Sequence, residues 1–276
     1  MKNWLCAAGL GFGLSMLIST GLVGCGDSMA TKTGDFSGII KDRIPRRPMA
    51  NMTAVPLSNT DGSVLPDIEK QVSGSSGMVY FAGLPGDPRG RVGFLVESKE
   101  INGELKYIDT YQFNIDVTAQ NKDIWSLDKW TFDVAPKLAG VTADLQYGLL
   151  AGAFAYLTDA GELQYVGCAT AEITVDGEVT GEVRYFGSNT LPTRLRTGPG
   201  ADPTSGRDWS NPVNGLFTAA NIKSGRATIK MWVNGQVMGQ EEVIIFGSSP
   251  KDALLISDVY VDKAISPENP TPADCK

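Results

Sequence analysis

Gly225-Arg226-Ala227-Thr228 leading to Val233-Asn234-Gly235-Gln236-Val237-Met238-Gly239 is the stretch that decides the fold. Asn-Gly between two apolar-patterned runs is the strongest short-range signal of a two-residue β-hairpin, because both residues accept positive φ. The same arrangement stands 58 residues earlier, where Gly167-Cys168-Ala169-Thr170 leads to Val175-Asp176-Gly177-Glu178-Val179-Thr180-Gly181. Phe186-Gly187-Ser188 then recurs as Phe246-Gly247-Ser248, after two extra residues. Two readings fit: a duplicated supersecondary unit, or separate hairpins that share Gly and Val because hairpins favour them. The number of positions agreeing in register favours duplication.

Working outward, the flanking sequence has the same character. Met78–Leu84 and Arg91–Glu97 are expected strands around the turn Pro85-Gly86-Asp87-Pro88-Arg89-Gly90. Asn102-Gly103 marks another hairpin, and Leu105–Val117 is expected as one long strand. Ile124–Val134 is expected as the next, since its residues alternate. Leu145–Leu157 reads as a buried strand or a helix; its glycines and the following Asp159-Ala160-Gly161 turn favour the strand. Leu163–Val166 would return along it, and Ala253–Val261 is the last expected strand. About ten short strands with no long helix between them predict an all-β fold. A two-sheet antiparallel sandwich and a barrel-like meander with a duplicated hairpin unit both fit.

The chain of 276 residues is acidic, at formal net charge −7, which argues against a nucleic-acid partner. It contains no histidine. That removes Ser-His-Asp and Cys-His catalysis and every His-ligated metal. No cofactor is expected. Asp258 with Asp262, and Asp123 with Asp128, lack the spacing of an oxygen-rich calcium loop.

The first 24 residues read as an export signal. Lys2 is followed by an apolar run from Trp4 to Val23 with no basic stop-transfer cluster after it. The run ends in Leu22-Val23-Gly24-Cys25. This resembles the bacterial lipobox. The resemblance implies thioether acylation of Cys25, cleavage before it, and attachment to the membrane through acyl chains. Residue 26 is Gly rather than the Asp of the inner-membrane retention rule, which favours the outer membrane of the cell envelope.

Residues 25–76 are expected to form a flexible tether, because polar residues and Pro45, Pro48, Pro56 and Pro66 interrupt regular pairing. A short strand near Phe36–Ile40 is the exception. Lys41, Arg43, Arg46 and Arg47 form a basic cluster in this stretch. It would meet anionic headgroups or lipopolysaccharide phosphates, or would be a solvated charge run. The all-β domain is expected over 77–265, followed by a Pro-rich tail over 266–276.

Cys6 lies in the export signal and Cys25 would be acylated, so Cys168 and Cys275 remain as an even pair. They form either a bridge or a buried thiol and a free tail cysteine, and an oxidising compartment favours the bridge. Ser188–Gly215 is the longest irregular stretch of the domain. Its Arg194, Arg196, Arg207 and Trp209 are the candidate ligand-binding residues, suited to a carboxylate, a phosphate or a sugar face. Trp125, Trp130 and Trp232 fit core positions better than exposed sugar platforms.

These features point to a non-enzymatic envelope lipoprotein whose domain binds or assembles with a protein or glycan. The alternatives are an envelope hydrolase acting on glycans through paired carboxylates, and a structural subunit of a surface assembly that adds strands to its neighbours. A hydrolase would show two close carboxylates in a cleft, at least one with a perturbed pKa.

Overall fold

A computed structural model describes residues 32–144, 146–187, 209–247 and 252–275. In chain order these form β1 (Thr33–Asp42), β2 (Thr53–Leu57), β3 (Gln71–Val72), β4 (Met78–Pro85), β5 (Arg91–Val96), β6 (Lys99–Ile101), β7 (Glu104–Tyr107), β8 (Asp109–Asp116), β9 (Lys122–Ser126) and the helix α1 (Lys129–Leu138). There follow β10 (Gly148–Leu157), β11 (Leu163–Tyr165), β12 (Thr170–Val175), β13 (Glu178–Val179), β14 (Glu182–Tyr185), β15 (Leu216–Ile222), β16 (Gly225–Val233), β17 (Gln236–Ile245), β18 (Ala253–Ile256) and β19 (Val259–Tyr260).

The fold is all-β and layered. A large open sheet runs β14-β15-β10-β18-β8-β5-β2-β3, with β11 and β19 beside β10. Alternate residues of β5 serve different cores, as the pleat requires. Val92, Phe94 and Val96 join Phe36, Phe81 and Ile124 under the sheet β4-β1-β9. Leu95 faces the other core, where Phe154, Phe217, Ile173, Ile229 and Met231 meet between the large sheet and the sheet β13-β12-β16-β17. A third cluster, with Phe132, Leu149 and Ile256, lies beneath α1. The large sheet does not close on itself among the described residues, so the sandwich reading holds and the barrel reading does not. Most pairs are antiparallel, but β18 runs parallel to both β10 and β8, and β9 runs parallel to β1.

The two hairpins of the repeat lie side by side in one sheet. Asp176-Gly177 and Asn234-Gly235 hold positive φ at both tips, as the turn requires. The register between the copies is informative. Glu172 of β12 pairs with Lys230 of β16, its own equivalent 58 residues on. The copies are therefore related by a pseudo-two-fold axis at that pair, where Lys230 Nζ meets Glu172 Oε1 at 3.1 Å.

Several expectations are corrected. The stretch 25–76 is not a tether throughout: from Thr33 onward it supplies β1, β2 and β3. Phe36, Ile40 and Leu57 are fully buried, which gives this segment the apolar area that a flexible linker lacks. Pro45 and Pro66 fall in turns, and Pro48 makes only an isolated bridge to Lys41. Pro56 accepts the Leu65 N–H on the side away from β5, so its missing donor leaves the β2–β5 ladder intact. Ile124–Val134 is not one strand. Asp128 caps a helix there, accepting from the Thr131 N–H at 2.8 Å and from the Thr131 hydroxyl. Leu105–Val117 is split at Ile108, which is buried and whose N–H turns to the Leu127 carbonyl. Expected strands at Met78–Leu84, Arg91–Glu97 and Leu163–Val166 appear within one or two residues of their bounds.

After Tyr260 the chain leaves regular pairing but stays held. The Tyr156 hydroxyl donates to the Pro267 carbonyl, and the Gly167 N–H donates to Thr271 Oγ1. A Cys168–Cys275 disulfide closes the strap, with a sequence separation of 107.

Candidate functional site

Polar groups from five elements converge where β17 and β19 meet the rim of the large sheet. Arg91 opens β5, Gln112 and Asn114 lie on β8, Trp125 on β9, Glu241 on β17 and Tyr260 on β19. They line two adjoining concavities of about 440 and 180 Å³, which share Arg91, Glu241 and Tyr260. The cleft exists because the strands approach closely. A Cβ on Gly239 would stand 2.0 Å from the Tyr260 carbonyl, so only glycine lets β17 pass there. The Asp262 N–H donates to the Met238 carbonyl at 2.7 Å and fixes that approach.

Arg91 Nη1 donates to Glu241 Oε2 at 3.2 Å. Burial pushes the Glu241 carboxyl above its ordinary value, against the opposing pull of Arg91. Tyr260 is pushed up to about 12, first by burial and then by the Asp258 and Glu241 charges. Its phenol therefore remains a hydrogen-bond donor across the physiological range. Asp258 Oδ1 accepts the Ala153 N–H at 2.9 Å. On the far side, the Arg43 guanidinium lies 4.8 Å from the Trp125 ring centroid. Lys41 pairs with Asp123 at 2.6 Å. The cleft presents donors at Arg91, Tyr260 and Lys122, acceptors at Asp258 and Asp123, and an aromatic wall at Trp125. That is a set suited to holding a polar ligand by several hydrogen bonds.

Of the residues expected from sequence, Arg194, Arg196 and Arg207 lie outside the described residues, as does Cys25. Trp209 is partly exposed, beside Ser210, whose N–H donates to the Ala169 carbonyl and whose hydroxyl donates to the Val166 carbonyl. Cys168 and Cys275 are joined. Among the tryptophans placed in the core, Trp130 is 72% exposed on the first turn of α1. Arg91, Glu241 and Tyr260 were not singled out in the sequence. They stand far apart in the chain, and no spacing links them; only the approach of β17 to β19 brings them together.

No family model and no curated protein matches the chain. Among solved structures it is similar to the Bacillus anthracis TIE protein, at 11% identity and TM-score 0.23, over 83% of this chain and 34% of that one. It is also similar to GBS52, the minor pilin of Streptococcus agalactiae (12% identity, TM-score 0.23, 87% of this chain and 99% of that one). A third is the shaft pilin SpaA of Lactobacillus rhamnosus GG (8% identity, TM-score 0.24, 84% and 98%). The chain thus spans about a third of the TIE protein and nearly all of the two pilins. Overlaps this poor leave the functional reading to the residues themselves.

Proposed function

We propose that this chain is a lipid-anchored protein of the bacterial cell envelope whose β domain binds a partner through the Arg91–Glu241–Tyr260 cleft, without catalysis there. The anchor rests on Leu22-Val23-Gly24-Cys25. The Cys168–Cys275 disulfide supports an oxidising compartment, as an exported protein would meet. Gly26 favours the outer membrane.

The observation that supports binding is the polar lining of the cleft, where Arg91 and Tyr260 offer donors, Asp123 and Asp258 offer acceptors and Trp125 offers an aromatic wall. Glu241, the carboxyl that burial raises, is held by Arg91, whereas a glycoside hydrolase needs its acid free to give up its proton. Two experiments test the reading. Cys25→Ser protein should leave the membrane fraction; if it still sediments with membranes, the anchor is refuted. A photo-crosslinking residue at exposed Gln240, which lines the cleft, should give a discrete adduct in cells. That adduct should disappear with Arg91→Ala, and an adduct indifferent to Arg91 would refute the cleft as the binding site.

A second reading, a structural subunit of a surface assembly, draws on β4. It is an end strand of its sheet, and its Tyr80 is 53% exposed. Such edges accept an added strand. A lysine at Tyr80 should then lower the oligomeric state in cross-linking; an unchanged state would count against this reading.

A further inference from the structure

Three side chains of the cleft each keep one polar group unused. Gln112 is only 6% exposed, and its Oε1 accepts the Trp125 N–H at 3.1 Å. Its Nε2 amide has no partner among the described residues. Asp258 Oδ1 accepts the Ala153 N–H, and its Oδ2 likewise has no partner among them. The Tyr260 hydroxyl also makes no hydrogen bond among the described residues. Yet the buried side-chain polar atoms left unpaired among those residues are Ser126 Oγ and Trp232 Nε1 alone. The three unused groups are therefore not sealed in the core. All three residues line the smaller concavity, of about 180 Å³, and their unused groups open into it.

Register brings these groups together. Gln112 stands opposite Ile256 in the β8–β18 ladder, and Asp258 and Tyr260 follow Ile256 at alternate positions. A donor amide, an acceptor carboxylate and a phenol that does both thus share one small space, with Trp125 as its apolar wall. The ionic groups around them are largely engaged with one another. Arg91 is paired with Glu241, and Asp123 with Lys41. An anionic ligand would meet the Asp258 and Glu241 carboxylates, and an ammonium would leave the Gln112 donor unmatched. An added peptide strand would need free carbonyls on β17 beside the cleft. Those of Met238 and Glu242 are taken by the Asp262 N–H and by Asn114 Nδ2.

We propose that the cleft takes a neutral saccharide, with one pyranose ring in the smaller concavity and the next unit in the adjoining one of about 440 Å³. This rests on the cleft being the binding site and names the chemistry of its ligand. Every sugar hydroxyl both donates and accepts, so neighbouring hydroxyls match Gln112 Nε2, the Tyr260 hydroxyl and Asp258 Oδ2 and leave none of them unpaired. The C–H groups of the ring pack on the Trp125 wall. The two concavities share Arg91, Glu241 and Tyr260, so a glycan chain passes from one into the other.

The test uses the detergent-solubilised full-length mature protein, with maltose, cellobiose and lactose as neutral probes and digalacturonate as an acidic one, followed by calorimetry. At least one neutral disaccharide is expected to bind, more tightly than digalacturonate and with little dependence on salt. Tyr260→Phe removes one hydroxyl. Asp258→Asn keeps an oxygen for the Ala153 N–H but turns the free acceptor into a donor. Each should weaken binding by about fivefold, the scale of one hydrogen bond. Trp130→Ala, on exposed α1 surface outside the cleft, should leave it unchanged. Cooperative thermal unfolding close to the parent's separates a lost contact from a lost fold. Binding of none of the three neutral sugars, tighter binding of digalacturonate, or binding indifferent to both cleft variants would each overturn the proposal. An Arg91-dependent adduct at Gln240 in cells, with no neutral sugar bound, would overturn this inference and leave the cleft as the binding site.

Discussion

Arg91 and Glu241, 150 residues apart in sequence, meet at 3.2 Å and tie β5 of the large sheet to β17 of the hairpin sheet. Glu241 is 13% exposed at its side chain, and burial holds its carboxyl above the ordinary value of 4.5. A folded value above the unfolded one means that the ionised carboxylate costs stability. The cost is absent at pH below 4.5 and appears as pH rises from there through the folded value. Glu241→Gln should flatten that limb of the stability profile, with a change within about 1 kcal/mol at neutral pH, because a buried pair is often replaceable. Arg91→Ala leaves the carboxylate without its partner and should cost more, about 2 kcal/mol, reduced from the fully buried case by Arg91's partial exposure. Urea unfolding at a series of pH values measures both.

Tyr260 supplies the alkaline counterpart. Its folded value of about 12 stands above the ordinary 10. The phenol thus contributes stability below pH 10 that is lost as pH rises from 10 to about 12. Absorbance titration near alkaline pH should show one tyrosine ionising last, and Tyr260→Phe should remove that step.

The disulfide between Cys168 and Cys275 closes a long loop and holds the C-terminal strap. Cys275→Ser should lower stability by about 2–5 kcal/mol, the range for a native bridge over such a loop. The strap beyond Tyr260 should also become open to protease, since Thr271 and Pro267 then hold it by hydrogen bonds alone. Denaturation with and without reductant, combined with limited proteolysis, checks both outcomes.

Gly239 shapes the cleft by being small. A methyl group there must push the Tyr260 backbone aside. Gly239→Ala should cost about 1–3 kcal/mol, as overpacking does, and shift the Tyr260 titration. A variant as stable as the parent would mean that β17 and β19 are further apart than described.

The role of β1 has its own test. Phe36 is fully buried against Phe81 and Phe94, with ring centroids 6.4 and 4.8 Å away. Phe36→Ala should destabilise the whole domain by about 3–5 kcal/mol. A flexible tether at this position would show no such loss.

The hairpin repeat was legible because a turn of two positive-φ residues has a local sequence signature, and both copies carry it. The strand bounds near Met78 and Arg91 were legible because the Pro- and Gly-rich stretch 85–90 between them marks a turn by composition. What was misread had competing local signals. Trp130, Phe132 and Val134 alternate as in a strand, yet the Asp128 cap and the helix it starts prevailed. Residues 33–57 look like a linker by proline content, but Phe36, Ile40 and Leu57 have long-range partners that no local window contains. Arg91, Glu241 and Tyr260 were invisible for that reason too: the cleft is a property of strand approach, not of spacing. Arg194, Arg196 and Arg207 lie outside the described residues, so the loop that held the sequence-based site is neither supported nor displaced by the cleft.

β1 is bonded to β4 on one side and to β9 on the other, and the chain enters it at Thr33. A pull on the chain from that end acts along the strand axis. The hydrogen bonds to both neighbours lie across that direction and must yield together rather than one after another. A pull applied at Thr33 would thus load β1 in shear, the resistant geometry for a sheet.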